Sequence, residues 1–296
     1  MFNRDTVSDN LPLILMSITI IFWGFSWPIG HIVASSFGKH VFTAAFIRFS
    51  IALPTLVLIT KFIEGDLQID KSMHWRIMIL GFLQITIYNF LYLSGLRFTS
   101  SSDASLIIAI NPTLTALFSS QVYDDEKLNP KRILGLILAF SGVTLIFVSS
   151  PNTAVPNRIL GDLLIFGGAI VWASYSTFSR PVYNSVSPLK FQVWATFYGW
   201  LALAIISIFE KPWDQTYEMK GILGLVYLGL FAAALANTFF SFSIKHIGPT
   251  KTSIFVNMVP VIGVISSIFL LGDKFSLLYV AAFILIFFGV RTVNRS

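Results

Sequence analysis

The stretch GLRFTSSSDASLIIAINPT, residues 95–113, returns in altered form as SIKHIGPTKTSIFVNMVPV, residues 243–261. A shift of 148 residues aligns three identical or chemically similar pairs: Arg97 with Lys245, Ser105 with Ser253, and Pro112 with Pro260. Three further pairs align with at most a one-residue change of shift: Asn89 with Asn237, Trp23 with Trp172, and Gly142 with Gly289. Because 148 is half of the 296 residues, the pattern indicates a tandem duplication. We therefore predict two units, residues 1–150 and 151–296.

The composition is that of a membrane protein. Hydrophobic residues make up 55% of the chain and charged residues 11%, whereas about a quarter of an ordinary soluble domain is charged. The mean hydropathy is +0.77. The net charge of +6 is not concentrated in a Lys/Arg cluster, so nucleic acid is not an expected partner. The absence of cysteine excludes disulfides, thiol catalysis and Cys-ligated metal.

Ten apolar runs are long enough to be membrane spans, because about 20 apolar residues cross the hydrocarbon core of a bilayer. The runs cover residues 11–32, 42–60, 77–96, 103–121, 132–149, 160–178, 189–209, 221–243, 252–271 and 275–290. Of the 20 Lys and Arg residues, 13 flank the side that holds both termini, six flank the opposite side, and Arg48 lies within a run. Basic residues concentrate in cytoplasmic loops. Both termini are therefore predicted to be cytoplasmic.

The number of spans in each unit determines how the two units are related. Five is odd, so the second unit must enter the membrane from the opposite side. Inverted repeats of this kind are common in secondary transporters. The predicted fold class is all-α: a polytopic membrane protein with ten transmembrane helices built as two inverted five-helix repeats.

Several stretches resemble the EamA-type permeases of the drug/metabolite transporter superfamily, and the resemblance covers nearly the whole chain. They are FWGFSWPIG (22–30), AAFIRFSIALP (44–54), YLSGLRFTSSSDASLIIAINP (92–112), DDEKLNPKRILGLILAFSGVTLIF (124–147), SIKHIGPTKTSIFVNMVPVIGVI (243–265) and LLGDKFS (270–276). One departure is Asp273, which stands where the family frequently has Glu. The resemblance implies ten helices, cytoplasmic termini and a central substrate cavity that opens alternately to either side. It does not imply a substrate.

Arg48 lies within a predicted span. A guanidinium near the centre of a span costs about 2.5 to 3.5 kcal/mol, and no Asp or Glu lies deep in a span to neutralise it. Its side chain can snorkel to the near end of its helix in a structural role, or it can bind a substrate carboxylate or phosphate through two hydrogen bonds. Asp103 and Asp162 open two other spans, where we expect them to stabilise helix N-termini.

Aromatic and amide side chains recur at helical spacing within the spans, so that each set shares one helix face. The sets are Trp23 with Trp27, Tyr88 with Tyr92 and the intervening Asn89, and Trp172 with Tyr175; Asn237 is the repeat counterpart of Asn89. We expect these residues to line a cavity for a small amphipathic metabolite. Packing, an interfacial aromatic belt and hydrogen bonds between helices are the alternatives.

Two prolines fall near the middle of spans. A helix interruption is tolerated in lipid only where protein or a water-lined cavity satisfies the backbone. We therefore expect Pro112 and Pro260 to kink their helices beside the cavity, with Asn111 and Asn257 as substrate-binding amides. Kinks that serve only helix packing are the alternative.

These features together predict a secondary transporter of small metabolites, such as amino acids or related zwitterionic or anionic compounds, in the inner (plasma) membrane. The expected partners are the small-molecule substrate and the lipid bilayer; no cofactor or metal is expected, and a monomer is compatible with the architecture. A phosphate-ester or nucleotide-sugar exchanger is the alternative, although it should have several Lys or Arg residues in its cavity. A non-transporting scaffold is a further alternative. We do not expect an enzyme, because the four His residues lie at span ends or in loops and no hydrolase motif occurs.

Overall fold

The computed structural model describes residues 10–124, 127–149, 157–247, 256 and 258–294, and every regular element among them is helical. The principal helices, numbered in chain order, are α1 Leu11–Phe37, α2 Val41–Glu64, α3 Lys71–Leu96, α4 Ser101–Val122, α5 Pro130–Val148, α6 Arg158–Tyr183, α7 Pro188–Ile208, α8 Met219–Ser243, α9 Val259–Leu271 and α10 Leu277–Val293. A short 3-10 turn, Pro212–Asp214, lies between α7 and α8. The all-α prediction is confirmed.

Eight of these helices, α1 to α8, are long and apolar enough to cross a bilayer. The described parts of the ninth and tenth predicted spans form α9 and α10, which are apolar but shorter. The predicted start of the ninth span, at residue 252, lies outside the described residues. Large apolar side chains cover the outside of the bundle; Phe62, Phe269 and Leu277, for example, are 88%, 83% and 78% exposed. Lipid is the solvent that suits such a surface.

Glycine allows α5 and α10 to approach closely. The helices α5 and α10 run antiparallel, and a Cβ atom on Gly289 would lie only 2.6 Å from the backbone nitrogen of Ala139. A Cβ on Gly135 would lie 2.7 Å from the carbonyl oxygen of Gly289. Small residues at such contacts allow membrane helices to pack by direct backbone approach.

Three helices are irregular near the middle of the bundle. The helix α3 contains a π-helical turn at Phe82–Ile87, and α8 contains one at Leu228–Leu235. The helix α4 passes through a 3-10 turn at Ile108–Ile110 before it continues from Asn111, with Pro112 in the first turn of the continued helix. The interruption predicted at Pro112 is therefore present. Pro260 lies in the first turn of α9, while Asn257 and residues 248–255 lie outside the described residues.

Successive helices run in opposite directions, so their connections lie on two faces. We call the face at which α1 begins the terminal face; it holds residues 65–70 and 184–187. Here Ser187 donates a hydrogen bond to Glu64 at 2.7 Å. We call the opposite face, which holds residues 38–40, 97–100 and 209–218, the distal face.

One ion pair at the terminal face joins Lys190 to Asp66. The Lys190 Nζ atom is 2.7 Å from Asp66 Oδ1, and this hydrogen bond holds the pKa of the Asp66 carboxyl below its ordinary value. The carboxylate side chain is 54% exposed, so we expect this pair to contribute little to stability.

Candidate functional site: a central cavity

A cavity of about 880 Å³ lies between the helices in the middle of the bundle. Every principal helix except α5 contributes to its lining within the described part of the chain. Eleven of the residues singled out from the sequence line it: Trp23, Trp27, Arg48, Tyr88, Asn89, Tyr92, Asn111, Pro112, Trp172, Asn237 and Pro260. This volume falls within the range of small-molecule sites.

Tyr175 is a correction to the predicted lining. Its ring is buried against Phe191, and its hydroxyl is 3.1 Å from the Tyr183 hydroxyl. Its spacing from Trp172 puts the two rings in edge contact, but Trp172 alone reaches the cavity. Asn257, the other predicted amide, lies outside the described residues.

Arg48 is held inside the bundle by an amide. Its Nη1 donates a hydrogen bond of 2.8 Å to Asn89 Oδ1. Its guanidinium carbon lies 5.2 Å from the ring centre of Phe49 and 5.9 Å from that of Tyr92. Aromatic faces attract cations at such distances. The side chain therefore does not snorkel to the end of its helix, and its Nε and Nη2 make no hydrogen bond to the residues that the structure describes.

The position of Asn89 follows from the π-helical turn of α3. A π turn interrupts the regular i to i−4 hydrogen bonds, and the Asn89 Nδ2 atom donates to the carbonyl oxygens of Ile85 at 2.9 Å and Gln84 at 3.3 Å. The amide oxygen is then directed to Arg48. The Asn89 side chain thus satisfies two backbone carbonyls of α3 and positions the guanidinium of Arg48.

Aromatic rings form a continuous wall beside Arg48. The rings of Trp27 and Tyr92 are 5.4 Å apart, those of Tyr92 and Tyr88 are 6.0 Å apart, and those of Tyr88 and Trp172 are 5.1 Å apart. The Tyr92 hydroxyl donates to the carbonyl of Ser26 at 2.5 Å, which fixes its ring. Such a wall offers flat apolar surface to a ligand whose polar end lies at the guanidinium.

The opposite side of the cavity is built on the π turn of α8. The Asn237 Nδ2 atom donates to the carbonyl of Ala233 at 2.6 Å. The Trp23 indole donates to the carbonyl of Ala232 at 3.1 Å, and its ring lies 5.2 Å from that of Phe240. Asn237 therefore lines the cavity and satisfies its own helix.

Two glutamines that line the cavity, Gln84 and Gln192, were not predicted from the sequence. Gln84, in the π turn of α3, donates from Nε2 to Gln192 Oε1 on α7 at 3.3 Å. Both residues interrupt apolar stretches, GFLQITI and LKFQVWA, and a polar residue in a span was the available signal.

The distal ends of α4, α6, α9 and α10 meet in a buried polar cluster, which we call the distal seal. Its members are Thr99, Ser101, Ser102, Asp103, Arg158, Asp162, Ser267, Asp273 and Tyr279. The seal lies between the cavity and the distal face, whereas the cavity lining extends towards the terminal face as far as Ser119, Gln192 and Val290.

Two aspartates form the centre of the distal seal. Asp103 accepts from the Tyr279 hydroxyl at 2.9 Å, and Asp162 accepts from the Thr99 hydroxyl. Arg158 Nη1 lies 2.8 Å from Asp162 Oδ2 and 3.7 Å from Asp103 Oδ2. Both aspartates are fully buried. Their sequence positions predicted only a role at helix N-termini, so their contact through Arg158 is an addition from the structure.

Serine contacts complete the distal seal. The Ser101 hydroxyl donates to the Ser267 hydroxyl at 2.7 Å, and the Ser102 backbone N–H donates to Asp273 Oδ2 at 3.0 Å. Ser100 is the N-cap of α4, where its hydroxyl accepts from the Asp103 N–H. Apart from the Arg158 contact with Asp162, each contact of the seal joins a residue before position 104 to one after position 157.

Comparison with known proteins identifies the family. The model of the EamA-like transporter family matches the chain twice, over residues 10–148 and 159–295. The chain belongs to the EamA-like transporter family. The uncharacterized transporter YyaM of Bacillus subtilis is 31% identical over 255 residues, which are 83% of this chain and 82% of YyaM. Protein PagO of Salmonella typhimurium is 25% identical over 76% of this chain and 73% of its own length.

A solved structure supports the fold. One crystal structure superposes with a TM-score of 0.65 at 19% identity and covers 97% of this chain and 98% of its own. The double match of the family model agrees with the duplication seen in the sequence. This EamA-like protein is thus a multi-pass membrane transporter of two-repeat architecture. We call residues 10–148 the first half and residues 159–295 the second half.

Proposed function

We propose that this EamA-like transporter carries small zwitterionic or anionic metabolites, such as amino acids, across the inner membrane by alternating access. The observation that carries the proposal is the incompletely bonded guanidinium of Arg48 in the wall of an aromatic cavity. The cavity requires no cofactor for this role, and we propose cytoplasmic termini because basic residues concentrate in cytoplasmic loops.

The electrostatics of Arg48 favour a carboxylate as the ligand. Its charge is compensated by one amide oxygen and two aromatic faces, which are weaker partners than an anion. A planar guanidinium can give two parallel hydrogen bonds to a carboxylate. Substrate binding would thereby supply the counter-charge that the helices lack.

Exchange of phosphate esters or nucleotide sugars is less well supported. A phosphate monoester carries about 1.5 to 2 negative charges near neutral pH. Arg48 is the single Lys or Arg residue of the cavity lining within the described residues. One guanidinium matches one carboxylate better than it matches a phosphate ester.

The distal seal supports alternating access. Its contacts join the two halves on the distal side, while the cavity lining extends towards the terminal face. We propose that this arrangement is the inward-facing state and that the outward-facing state requires the contacts of the seal to separate.

Uptake into reconstituted vesicles tests the substrate class. Purified protein is first screened against amino acids, organic acids, nucleosides and sugar phosphates, because a ligand of the folded state raises the melting temperature. The compounds that stabilise it are then assayed for uptake. We expect compounds with a carboxylate to stabilise and to be transported. Transport confined to sugar phosphates or nucleotide sugars would contradict the proposal.

A reversible cross-link tests alternating access, and the cysteine-free chain provides a clean background. The hydroxyl oxygens of Ser101 and Ser267 are 2.7 Å apart, so the double variant Ser101→Cys/Ser267→Cys places two thiols within disulfide range. We expect oxidation to abolish uptake but preserve ligand-induced thermal stabilisation, and reduction to restore uptake. The two single variants are the controls. Full uptake by the cross-linked protein would contradict the role of the distal seal.

A further inference from the structure

Gln84 and Gln192 form a second polar position in the cavity wall, distinct from Arg48. Gln84 belongs to the π turn of α3, and Gln192 lies near the start of α7. Their side chains are almost completely buried, with exposures of 5% and 9%. Two buried amides are costly unless their polar groups are used.

The two amides form a hydrogen-bond chain with a defined direction. The Gln84 Nε2 atom donates to Gln192 Oε1 at 3.3 Å, and Gln192 Nε2 donates to the Thr196 hydroxyl oxygen at 3.3 Å. Each amide nitrogen is therefore used within the chain. The end that remains is Gln84 Oε1, a buried acceptor with no hydrogen-bond partner in the part of the chain that the structure describes.

This acceptor is connected to the Arg48 position through one residue. Asn89 accepts from Arg48 through its side-chain oxygen and donates to the backbone carbonyl of Gln84 through its side-chain nitrogen. The cation and the free acceptor are therefore both positioned by the π turn of α3. Asn111, across the cavity on α4, has a second buried amide oxygen without a partner among the described residues.

We propose that Gln84 is a specificity-determining residue whose Oε1 accepts a hydrogen bond from an ammonium group of the substrate. The inference rests on the proposed function, in which Arg48 binds the substrate carboxylate. A buried carbonyl oxygen without a donor costs about 1 to 3 kcal/mol, and the cavity is where a ligand can supply that donor. A zwitterion satisfies both positions, whereas a simple carboxylate leaves Gln84 unsatisfied. Gln192 and Thr196 are positioning residues, because they act through Gln84.

Matched ligand pairs test this assignment in the full-length purified protein. The probes are phenylalanine with 3-phenylpropionate and leucine with 4-methylpentanoate, each pair differing by the ammonium group. Calorimetry measures Kd for wild type, Gln84→Met and Gln84→Glu. For the better-binding amino acid, we expect Gln84→Met to weaken binding roughly 10- to 100-fold and to leave its deaminated partner within about threefold. Gln84→Glu, which keeps the acceptor, should retain the preference for the amino acid.

The ratio of the two Kd values separates recognition from damage to the helix. Thr86→Val is the matched control, because Thr86 lies in the same π turn but donates to the carbonyl of Gly199 and does not line the cavity. Thr86→Val should weaken the binding of both ligands of a pair by the same factor, or leave both Kd values unchanged. Gln192→Leu should reduce the ratio by a smaller factor than Gln84→Met.

The outcomes also distinguish this inference from the proposed function. If Gln84→Met weakens both members of a pair equally, or neither, the assignment of Gln84 is overturned while the carboxylate site stands. If wild type binds neither member of either pair and the wider screen also yields no ligand with a carboxylate, the proposed function fails, and the inference about Gln84 fails with it.

Discussion

The two halves build the same scaffold around the cavity but place different chemistry on it. Each half has a π-helical turn, Phe82–Ile87 in the first and Leu228–Leu235 in the second, and an asparagine two residues after it. In both halves the asparagine amide donates to a carbonyl of its own π turn, as Asn89 and Asn237 show. The duplicated element is thus a helix interruption together with the side chain that satisfies it.

The difference between the halves lies in the residues next to that scaffold. At the shift of 148 residues, Arg48 aligns with Thr196, and Gln84 aligns with Ala232. The first half therefore supplies the cation and the free acceptor. In the second half the carbonyl of Ala232 is bound by the indole of Trp23, a residue of the first half. We infer that recognition of polar groups is concentrated in the first half, while the second half mainly shapes the cavity.

The largest expected effect comes from substitutions at the aligned positions Arg48 and Thr196, each changed separately. Arg48→Met should reduce carboxylate uptake by roughly a hundredfold or more, because the substrate loses its counter-charge. Arg48→Lys keeps the charge but not the planar pair of donors, so we expect roughly tenfold weaker uptake, or about 1.4 kcal/mol. Thr196→Val is the matched change in the second half and should have less effect than Arg48→Lys. Vesicle uptake and thermal stability, measured together, separate transport from folding.

Two results would contradict this difference between the halves. Normal uptake by Arg48→Lys, with normal stability, would make Arg48 structural. A loss of uptake in Thr196→Val as large as that in Arg48→Met would mean that the second half contributes as much to substrate recognition as the first, through the hydrogen bond that Thr196 accepts from Gln192.

A smaller difference is expected between the paired asparagines. Asn89→Leu leaves Arg48 Nη1 and two backbone carbonyls of the π turn without their partner. We expect a loss of about 1 to 3 kcal/mol in stability together with weaker uptake. Asn237→Leu removes one hydrogen bond, to Ala233, and should cost about 1 kcal/mol with a smaller effect on uptake. Denaturation of the purified protein in detergent measures the loss of stability, and uptake into vesicles measures the loss of transport. Equal losses in Asn89→Leu and Asn237→Leu would contradict the difference between the two halves.

Much of this organisation could be predicted because it depends on patterns that repeat along the chain. Apolar runs of membrane length identified eight helices that can cross a bilayer, and the 148-residue shift identified the two-repeat architecture. Helical spacing also placed Trp23, Trp27, Tyr88 and Tyr92 on faces that line the cavity. Periodicity determines the face of a residue within its own helix.

The features that were not predicted from the sequence depend on contacts between neighbouring helices. Tyr175 follows Trp172 at helical spacing, yet its ring packs against Phe191 of α7 in a separate apolar cluster. Asp103 and Asp162 were each predicted to stabilise the start of a helix. Arg158 contacts both, and its contact with Asp103 joins residues that are far apart in sequence. The Gln84 and Gln192 pair was missed for the same reason.

The smallest expected effect concerns Trp23, which joins the two halves across the cavity. Trp23→Phe removes the indole hydrogen bond to Ala232 but keeps an aromatic ring beside Phe240. We expect a loss of about 0.5 to 1.5 kcal/mol in stability, measured by denaturation, because one buried carbonyl loses its donor. The Kd for a transported amino acid should stay within about threefold of wild type.

Trp172→Phe is the control for this change, because the Trp172 indole makes no hydrogen bond to the residues that the structure describes and its replacement alters only ring contacts. If Trp23 serves only to satisfy the π turn of α8, the two variants should differ in stability and agree in ligand affinity. If Trp23→Phe instead abolishes binding while remaining folded, the indole or the carbonyl that it releases takes part in substrate recognition. If the carbonyl of Ala232 is the group that takes part, polar recognition is shared between the halves, and the division between a recognising first half and a shaping second half would have to be abandoned.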